Sequence, residues 1–459
     1  MLYKENLLRQ IGNIADRLDM PCYVVGGYVR DSFLNLNSDD IDIVVEGSGT
    51  TLAQAFANEV GSKVDIFETY GTAKVDYLDT KFEFVGARSE SYPKRDSRNP
   101  VVKPGTLLED LSRRDFTINS MAICINSNNF GNLVDPFSGV EHLKQGVLIT
   151  PIEPGKTFSD DPLRMLRCIR FSTKFNFWIE EKTLEGIKEN SSRLRIVSKE
   201  RIMTEFFKTL SYSNCSLGIK LLQMTGLLQE FLPELSALDT VDDGRHKNNF
   251  FHSVEVLKNI SKITDNIWLR FATLLHDIGK DKCKRKDDIT GNWTFYGHPE
   301  VGAKMIPDIG KRLKLPNDKI KYLEKVVRLH MRPQKIAEDG ITDSAVRRFL
   351  VEADEDVEDL LLLSKCDVTT KHFEKKLELQ KAIDLLEIKI EDLKERDWRR
   401  EFQPCVNGFD IMEMFNLKKG ALVGELKEAM KNEILDGNLK NEREDLINYL
   451  KNLYNNNYK

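Results

Sequence analysis

Two carboxylates two residues apart open the chemical reading. Asp40 and Asp42 flank Ile41 in DDIDIVV, and three of the four positions 39–42 are aspartate. The apolar run that follows reads as a strand, where residues i and i+2 face the same side. Both carboxylates then point to one surface, where they repel each other unless a cation lies between them. Hard oxygen donors of this kind suit Mg²⁺, which keeps phosphate oxygens among its ligands. Aspartate is depleted in strands, so its presence asks for a reason. The plain alternative is a solvated strand end. Upstream, Gly26 and Gly27 follow the apolar YVV and precede Arg30 and Asp31. A Gly-Gly pair at a strand-to-helix turn exposes backbone N–H groups that hold phosphate. Alone, such a pair is also what an ordinary turn needs.

A second, independent set lies further along. His252, the pair His276-Asp277, His298, His330 and Asp367 sit in FFHSV, LLHDIGK, YGHPE, RLHMR and SKCDVT. Imidazole and carboxylate together suit Mn²⁺, Fe²⁺, Ni²⁺, Co²⁺ or Zn²⁺. A lone histidine is ordinarily a satisfied core or surface residue. Here the pair closes an apolar helix, FATLLHD, and a buried polar pair needs partners. A third candidate fails: Gly155-Lys156-Thr157 resembles the end of a P-loop, but position 150 is threonine where that loop requires glycine.

These residues need elements to hold them. A helix over about 3–18 leads into the strand CYVVGG, a helix start at YVRDSFL, the strand DDIDIVVE and the helix TTLAQAFANEV. KVDIF, TAKVDY and KFEFVGA read as three short strands. The polar stretch 89–110 reads as a mobile loop. SRRDFTINSMAICI is expected to open a helix and run into a strand. From Thr157 onward the apolar spacing is helical nearly throughout. FSDDPLRMLRCIRFSTKF, SKERIMTEFFKTL and CSLGIKLLQMTGLL read as successive helices. Residues 371–400 read as a highly charged helix, a solvated connector or packing arm. The last sixty residues read as a small helical unit.

Composition sets the outer limits. The 459 residues exceed one ordinary domain. With 41% hydrophobic and 31% charged residues the chain forms cores and is not disordered. A net charge of −5 opposes a histone-like binder of nucleic acid but leaves room for a local basic groove. The seven cysteines include no C-x-x-C pair, so neither a disulfide scaffold nor a thiolate zinc site is expected. The first residues are amphipathic and charged, unlike a signal peptide, and no apolar run is long enough to span a membrane. A cytoplasmic location is expected.

The ordered blocks GGYVRD (26–31), DDIDIVV (39–45), YGTAKV, RRDFTINSMA (113–122), DPFSG (135–139) and DDPLRMLRCIRF (160–171) resemble the bacterial class II tRNA nucleotidyltransferase (CCA-adding enzyme) and poly(A) polymerase family. This family belongs to the polymerase-beta-type nucleotidyltransferase superfamily. The resemblance implies an α+β head with a mixed or antiparallel sheet, then an all-α neck, an HD-type helical body and a helical tail. The corresponding spans here are 1–155, 156–241, 242–370 and 371–459. It implies that Asp40 and Asp42 bind Mg²⁺, and that Gly71-Thr72 form a turn near the nucleotide. Arg113, Arg114, Asp115 and Asn119 would meet ribose and triphosphate, Arg88 would lie near the triphosphate, and Glu83 would be a third carboxylate. Asp160, Asp161 and Arg164 fall on the base-recognition motif, whose usual first residue is glutamate. The histidine set resembles the HD phosphohydrolase superfamily. His252, His276, Asp277 and Asp367 would hold one metal, and His298 and His330 match the extra ligands of two-metal members.

Physical readings stand beside the resemblance. Asp161 and Arg164, three apart on a helix, would share a face. An ionised carboxylate only accepts and a guanidinium only donates, so together they match the edge of cytosine or adenine and not that of guanine or uracil. Arg164, Arg167 and Arg170 form a stripe suited to phosphate or primer-backbone contact. Two adjacent arginines suit triphosphate charge, and the Asn119 amide suits a ribose hydroxyl. The expected activity is addition of CMP and AMP from CTP and ATP to the 3′ end of tRNA, with the acceptor stem and T arm held by shape. A poly(A) polymerase, or an enzyme adding only CC or only A, is the alternative. The HD domain is expected to be a phosphohydrolase or 2′,3′-cyclic phosphodiesterase. A chain with a dead head, acting only as HD hydrolase or RNA binder, is opposed by the intact Asp40/Asp42 pair.

Overall fold

The computed structural model describes residues 2–68, 71–91, 101–239, 248–289, 293–338, 340–369, 373–401, 404–435 and 438–457. The domain boundaries expected at 241/242 and 370/371 lie outside the described residues, as does the 92–100 part of the expected mobile loop. The chain divides into two compact units, one of residues 1–331 and 353–372 and one of residues 332–352 and 373–459.

The head begins with α1 (Leu2–Arg17), β1 (Cys22–Val25), α2 (Gly27–Phe33), β2 (Asp40–Val45) and α3 (Gly49–Val60). β3 (Val64–Phe67), β4 (Thr72–Tyr77), β5 (Thr80–Gly86), β6 (Arg88–Ser91), β7 (Val101–Pro104) and α4 (Leu107–Ser112) follow. Then come a 3₁₀ turn at Thr117–Asn119, β8 (Ala122–Cys124), β9 (Leu133–Val134), α5 (Gly139–Gln145) and β10 (Val147–Leu148). Seven strands form one mixed sheet in the order β3-β4-β5-β2-β1-β8-β9. β2 and β5 are parallel, with Asp42 opposite Glu83, and the other neighbours are antiparallel. Alternation along β2 decides which face does what. Ile41 and Ile43 join Val24, Phe56, Phe82 and Phe84 in the main core beneath α1 and α3. Val44 points the other way with Val25 and Ala87, under Leu107 and Leu111 of α4. Asp40 and Asp42 lie on that second face.

Three expectations are corrected here. Residues 88–91 and 101–104 are not loop but a hairpin pairing Arg88 with Pro104 and Ser91 with Val101, and α4 follows directly. Its start is fixed by a capping box between Thr106 and Glu109. The RRD segment does not open a helix; it ends one. Arg113 and Arg114 fold back on Asp110 of α4, favoured at a helix C-terminus. Finally, FSDDPLRMLRCIRFSTKF is two helices, α6 (Pro154–Asp160) and α7 (Leu163–Phe175). Pro162 lacks an N–H and forces the residue before it out of the helical region, and Asp161 is extended at φ −134°, ψ 100°.

The neck continues through β11 (Trp178–Ile179), α8 (Glu181–Asn190), α9 (Lys199–Ser211), α10 (Cys215–Met224), α11 (Leu227–Phe231) and α12 (Pro233–Ser236). The body holds α13 (Asn249–Ile260), α14 (Ile267–Leu275), α15 (Lys280–Cys283), a small hairpin of β12 (Arg285–Lys286) and β13 (Trp293–Thr294), α16 (His298–Arg312) and α17 (Asn317–Leu329). The fully buried Arg270 of α14 joins neck to body. Its guanidinium donates to the carbonyls of Leu210, Ser211 and Ser261, supplying donors that helix C-termini lack. The second unit holds α18 (Arg332–Glu338) and α19 (Asp343–Ala353), the latter ending at the division. α20 (Val357–Asp367) returns to the first unit. α21 (Phe373–Glu401) is the expected charged helix, and it buries Ile383, Leu386, Ile390 and Leu393 along one stripe. α22 (Gly408–Phe415), α23 (Ala421–Leu435) and α24 (Arg443–Asn457) enclose a small core around Ile411, Leu426, Met430 and Leu446. Among the described residues no helix is long and apolar enough to cross a membrane.

Candidate functional site

The head pocket is a cavity of about 380 Å³ where the strand ends of the sheet meet the neck. It is lined by Gly26, Gly27, Arg30, Asp42, Arg113, Arg114, Asp115, Asn119, Asp161, Leu163, Arg164, Arg167 and Arg201. Six arginines against three aspartates leave an excess of positive charge, which a triphosphate matches. Gly26 is needed where it stands. Its φ is +71°, and a Cβ there would lie 2.8 Å from an Arg114 nitrogen and 3.4 Å from Asp42 Oδ2.

The arginines are held in place by buried carboxylates. Asp110, with no exposed surface, receives Arg113 through a short contact and Arg114 Nη2 at 3.1 Å. Burial opposes its ionisation, yet Arg114 and Arg113 keep its carboxyl below the usual range. Arg88 Nε and Arg113 Nη1 both reach Glu90, at 3.0 and 3.1 Å. Arg30 is buried, with its Nη1 donating to Asn119 Oδ1 at 2.7 Å and its Nη2 2.6 Å from Asp31. Asn119 in turn donates to Asp115 Oδ1 at 2.9 Å. Arg167 Nε donates to the other Asp115 oxygen at 2.7 Å. Burial would raise Asp115, but Arg167 and Asn119 bring its carboxyl down to about 2.

Asp40 is exposed and Asp42 is half-buried on the same face of β2. Burial raises the Asp42 carboxyl, as do the nearby Glu83 and Asp40, against a lowering pull from Arg114. Oxygen donors that repel one another in this way are the donor set Mg²⁺ takes. Glu83 faces Lys74, 3.4 Å from its ammonium. Asp161 Oδ1 accepts from Leu163 N at 3.1 Å, capping α7, and its Oδ2 lies 3.6 Å from Arg201. Arg164 donates to the Thr157 carbonyl at 3.2 Å. Asp161 and Arg164 therefore converge on the cavity from either side of the Pro162 break and not along one helix face.

Several expected residues lie elsewhere. Arg170 is not part of an exposed stripe; its Nε donates to Glu205 of α9 at 2.5 Å, inside the neck. Gly71 and Arg88 line a second cavity with Gly47–Thr50, Gly86 and Lys103. Thr72 pairs with Val85, two rows along the sheet from Asp42. Asp160 ends α6 and does not line the head pocket; burial raises its carboxyl against Arg164 and Lys156. Asp110, Glu90 and Arg201 were not singled out from sequence. The i+3 and i+4 spacing of Asp110 to Arg113 and Arg114 was the readable signal; Glu90 and Arg201 carried none.

The second site assembles from α13, α14, α16, α17 and α20. His252 Nε2 lies 2.9 Å from Asp367 Oδ1 and 3.4 Å from Asp277 Oδ2. His276 Nε2 is 3.2 Å from Asp277 Oδ2, and His298 Nε2 is 3.2 Å from Asp277 Oδ1. His330 Nε2 is 3.4 Å from His298 Nε2. The outer nitrogens fix the inner ones. Nδ1 of His276, His298 and His330 donates to the carbonyls of Thr273, Phe295 and Val327 at 2.7, 2.9 and 2.8 Å. A carbonyl only accepts, so each Nε2 is the free ligand atom. His252 Nδ1 meets Thr369 Oγ1 at 3.0 Å. His276 Nε2 and Asp367 Oδ1 are buried without a well-formed hydrogen bond, close yet misaligned, as donors facing a shared ion are. Two triads, His252-His276-Asp277 and Asp277-His298-His330, each bring three ligand atoms within 4.8 Å of one another. The set fits one or two divalent metals, which these residues would hold with Asp277 common to both triads. Without a cation, burial would lower His276, yet Asp277 and Asp367 hold its imidazole at about 10. Burial and the neighbouring His276 bring His330 down to about 3. Lys280 donates to Asp277 Oδ2 at 2.5 Å. Gly279 lets α16 approach, since a Cβ there would meet the His298 carbonyl at 2.1 Å.

Comparison with known proteins assigns family domains to the segments that carry the two sites. Residues 22–149 match the family described as "Poly A polymerase head domain". Residues 176–238 match "Probable RNA and SrmB- binding site of polymerase A", and residues 249–372 match "HD domain". An A-adding tRNA nucleotidyltransferase of Deinococcus radiodurans is 30% identical over 89% of this chain and 90% of its own. A multifunctional CCA protein of Neisseria meningitidis serogroup B is 33% identical over 68% of this chain and 73% of its own. A CCA-adding enzyme of Thermotoga maritima, solved in complex with tRNA, shares the fold at a TM-score of 0.63 and 23% identity, over 98% of this chain and 95% of that one. With a relative 30% identical along nine-tenths of both chains, the chain belongs to the tRNA nucleotidyltransferase family.

Proposed function

We propose that the head adds CMP and AMP from CTP and ATP to the 3′ end of tRNA without a template. The observation that carries this is the meeting of Asp42, the arginine cage and the Asp161/Arg164 pair in one cavity. Arg113 and Arg114, locked by Asp110, hold the triphosphate. Asn119, oriented by Arg30 and Asp115, meets the ribose. Asp161 accepts from the base amino group and Arg164 donates to the ring nitrogen, so cytosine and adenine fit while guanine and uracil leave buried groups unpaired. The primer 3′-hydroxyl attacks the α-phosphorus, a new P–O bond forms, and pyrophosphate leaves. Mg²⁺ held by Asp40 and Asp42 supplies a more acidic hydroxyl and charge neutralisation for the phosphates. tRNA is gripped through its acceptor stem and T arm.

The test supplies tRNA lacking CCA, and tRNA ending in CC, with each nucleotide in turn. CTP should extend the first and ATP the second, with UTP and GTP excluded. Extension of only the CC-ended tRNA, and only by ATP, would replace this reading with A addition alone, the activity named for the Deinococcus relative.

The histidine centre we read as a phosphohydrolase acting on RNA ends. The Nδ1 anchors hold four imidazoles with Nε2 inward, and Asp277 joins the two triads. A divalent transition metal there (Ni²⁺, Mn²⁺, Co²⁺, Fe²⁺ or Zn²⁺) supplies an activated water and a polarised phosphate ester. Attack of water on phosphorus, breaking the P–O3′ bond of a 2′,3′-cyclic phosphate, would leave a 2′-phosphate and free the 3′-hydroxyl that the head extends.

A further inference from the structure

We propose that the β12–β13 hairpin binds the unpaired 3′-terminal nucleotides of an RNA and leads them to the histidine centre. This rests on the phosphohydrolase reading above and gives it a substrate class: an RNA end, not a free nucleotide. The chain carries a net charge of −5, yet residues 280–286 read KDKCKRK, five cations to one acid. Lys280 is engaged with Asp277. Lys282, Arg285 and Lys286 are exposed and form no ion pair among the described residues. Across the hairpin from Lys286 stands an aromatic, Trp293. Lys284 Nζ sits 4.6 Å above the Trp293 ring. Tyr296 is 86% exposed, a large apolar ring held in water two residues before a metal-ligand candidate.

The hairpin is fastened to that centre at two points. Its Phe295 carbonyl accepts from His298 Nδ1 at 2.9 Å, and its Phe295 ring lies 5.8 Å from Lys280 Nζ. Lys280 in turn holds Asp277. A base stacked on Tyr296 would therefore sit beside the mouth of the site, with its backbone phosphates on Lys282, Arg285 and Lys286. An exposed aromatic ring beside unpaired cations is a surface that single-stranded nucleic acid uses, since every base has a π face and every linkage a charge. Shape-read duplex would need no stacking platform.

The test uses the full chain loaded with Mn²⁺. The probe is an eight-nucleotide single-stranded RNA ending in a 2′,3′-cyclic phosphate, with 4-thiouridine at its terminal position. The expected results are crosslinking to the hairpin and loss of RNA affinity by about tenfold in Tyr296→Ala and in Arg285→Glu/Lys286→Glu. The charge reversal should also flatten the salt dependence. Nucleotide addition by the head, and hydrolysis of bis-(p-nitrophenyl) phosphate, should be unchanged, while the KM for the RNA rises about tenfold. RNA affinity within twofold of wild type in both variants overturns the proposal. So does an oligoglutamate peptide that competes as well as RNA, which would mark a protein-docking surface. If the wild type hydrolyses nothing, the phosphohydrolase reading fails by itself, and affinity and crosslinking still decide the hairpin.

Discussion

Arg167 of the neck donates to the buried carboxylate of Asp115 in the head at 2.7 Å. This one contact ties the base-recognition helix to the segment that carries the triphosphate arginines. Asp115 also accepts from Asn119, which accepts from Arg30. A chain of charge-assisted hydrogen bonds thus runs from α2 through the pocket floor to α7, and such bonds are the stronger kind. Moving α7 would disturb base, ribose and phosphate contacts together.

Asp115 should make stability depend on acid pH. Its folded carboxyl is held at about 2 against an ordinary 3.8, so its contribution is fully present above the unfolded value and is lost as pH falls from about 5 to 2. The difference corresponds to about 2 kcal/mol. Asp115→Asn should lower the urea midpoint at pH 7, and the gap to wild type should close toward pH 3. A gap of equal size at both pH values would contradict the contact's ionic character.

Asp42→Asn and Asp40→Asn should each lower nucleotide addition by at least about 10³-fold, the scale on which removing electrostatic stabilisation acts. Thermal stability should move the other way or not at all for Asp42, because burial, Glu83 and Asp40 already disfavour its charge. Wild-type turnover in either variant, measured with CTP and ATP separately, would remove these carboxylates from the catalytic assignment.

Arg164→Lys keeps the charge but loses the planar fork. CTP and ATP incorporation should fall together, and the preference for CTP over UTP should shrink by about 10²-fold, since a site built on satisfied hydrogen bonds rejects mismatches strongly. Competition between labelled CTP and UTP reads this ratio directly. An unchanged ratio would assign base selection to other groups, with Arg201, 3.6 Å from Asp161, the next to examine.

The two chemical centres were legible because their residues defy ordinary placement. Asp40 and Asp42 break a strand's composition at the strand's own period, and His276-Asp277 end an apolar helix. The head strands and α21 were legible from periodicity. What escaped was pairing across long separations. Arg170 reads as a phosphate ligand until Glu205, 35 positions later, is seen to hold it. Gly71 and Arg88 match motif positions, but the antiparallel register of β4 carries Thr72 two rows from Asp42. The break at Pro162 and the capping box at Thr106 were local signals, outweighed by a continuous helical period and by a polar composition. Segment 332–352 packs with 373–459, a grouping that no local pattern announces.

The histidine centre should prove separable from the head, because the two sites share no residue. Asp277 is the ligand in reach of both triads, so Asp277→Asn should cost metal at both positions, whereas His330→Ala should reduce only the second. Wild-type protein treated with chelator and then titrated with Mn²⁺, Ni²⁺ or Co²⁺ should rise in thermal midpoint. A ligand at about a hundred times its Kd stabilises by about 2.7 kcal/mol, and Asp277→Asn should lose most of that rise. Hydrolysis of 2′,3′-cyclic AMP and p-nitrophenyl phosphate esters by the metal-loaded wild type should vanish in the variant, with CTP and ATP addition nearly intact. Metal content of one to two ions per chain, with no hydrolysis under any of these metals, would leave a structural metal centre and defeat the hydrolase reading. Loss of nucleotide addition alongside hydrolysis would instead show that the variant disturbs the fold, and His298→Gln, whose Nδ1 anchor lies outside the head and neck, would then repeat the test.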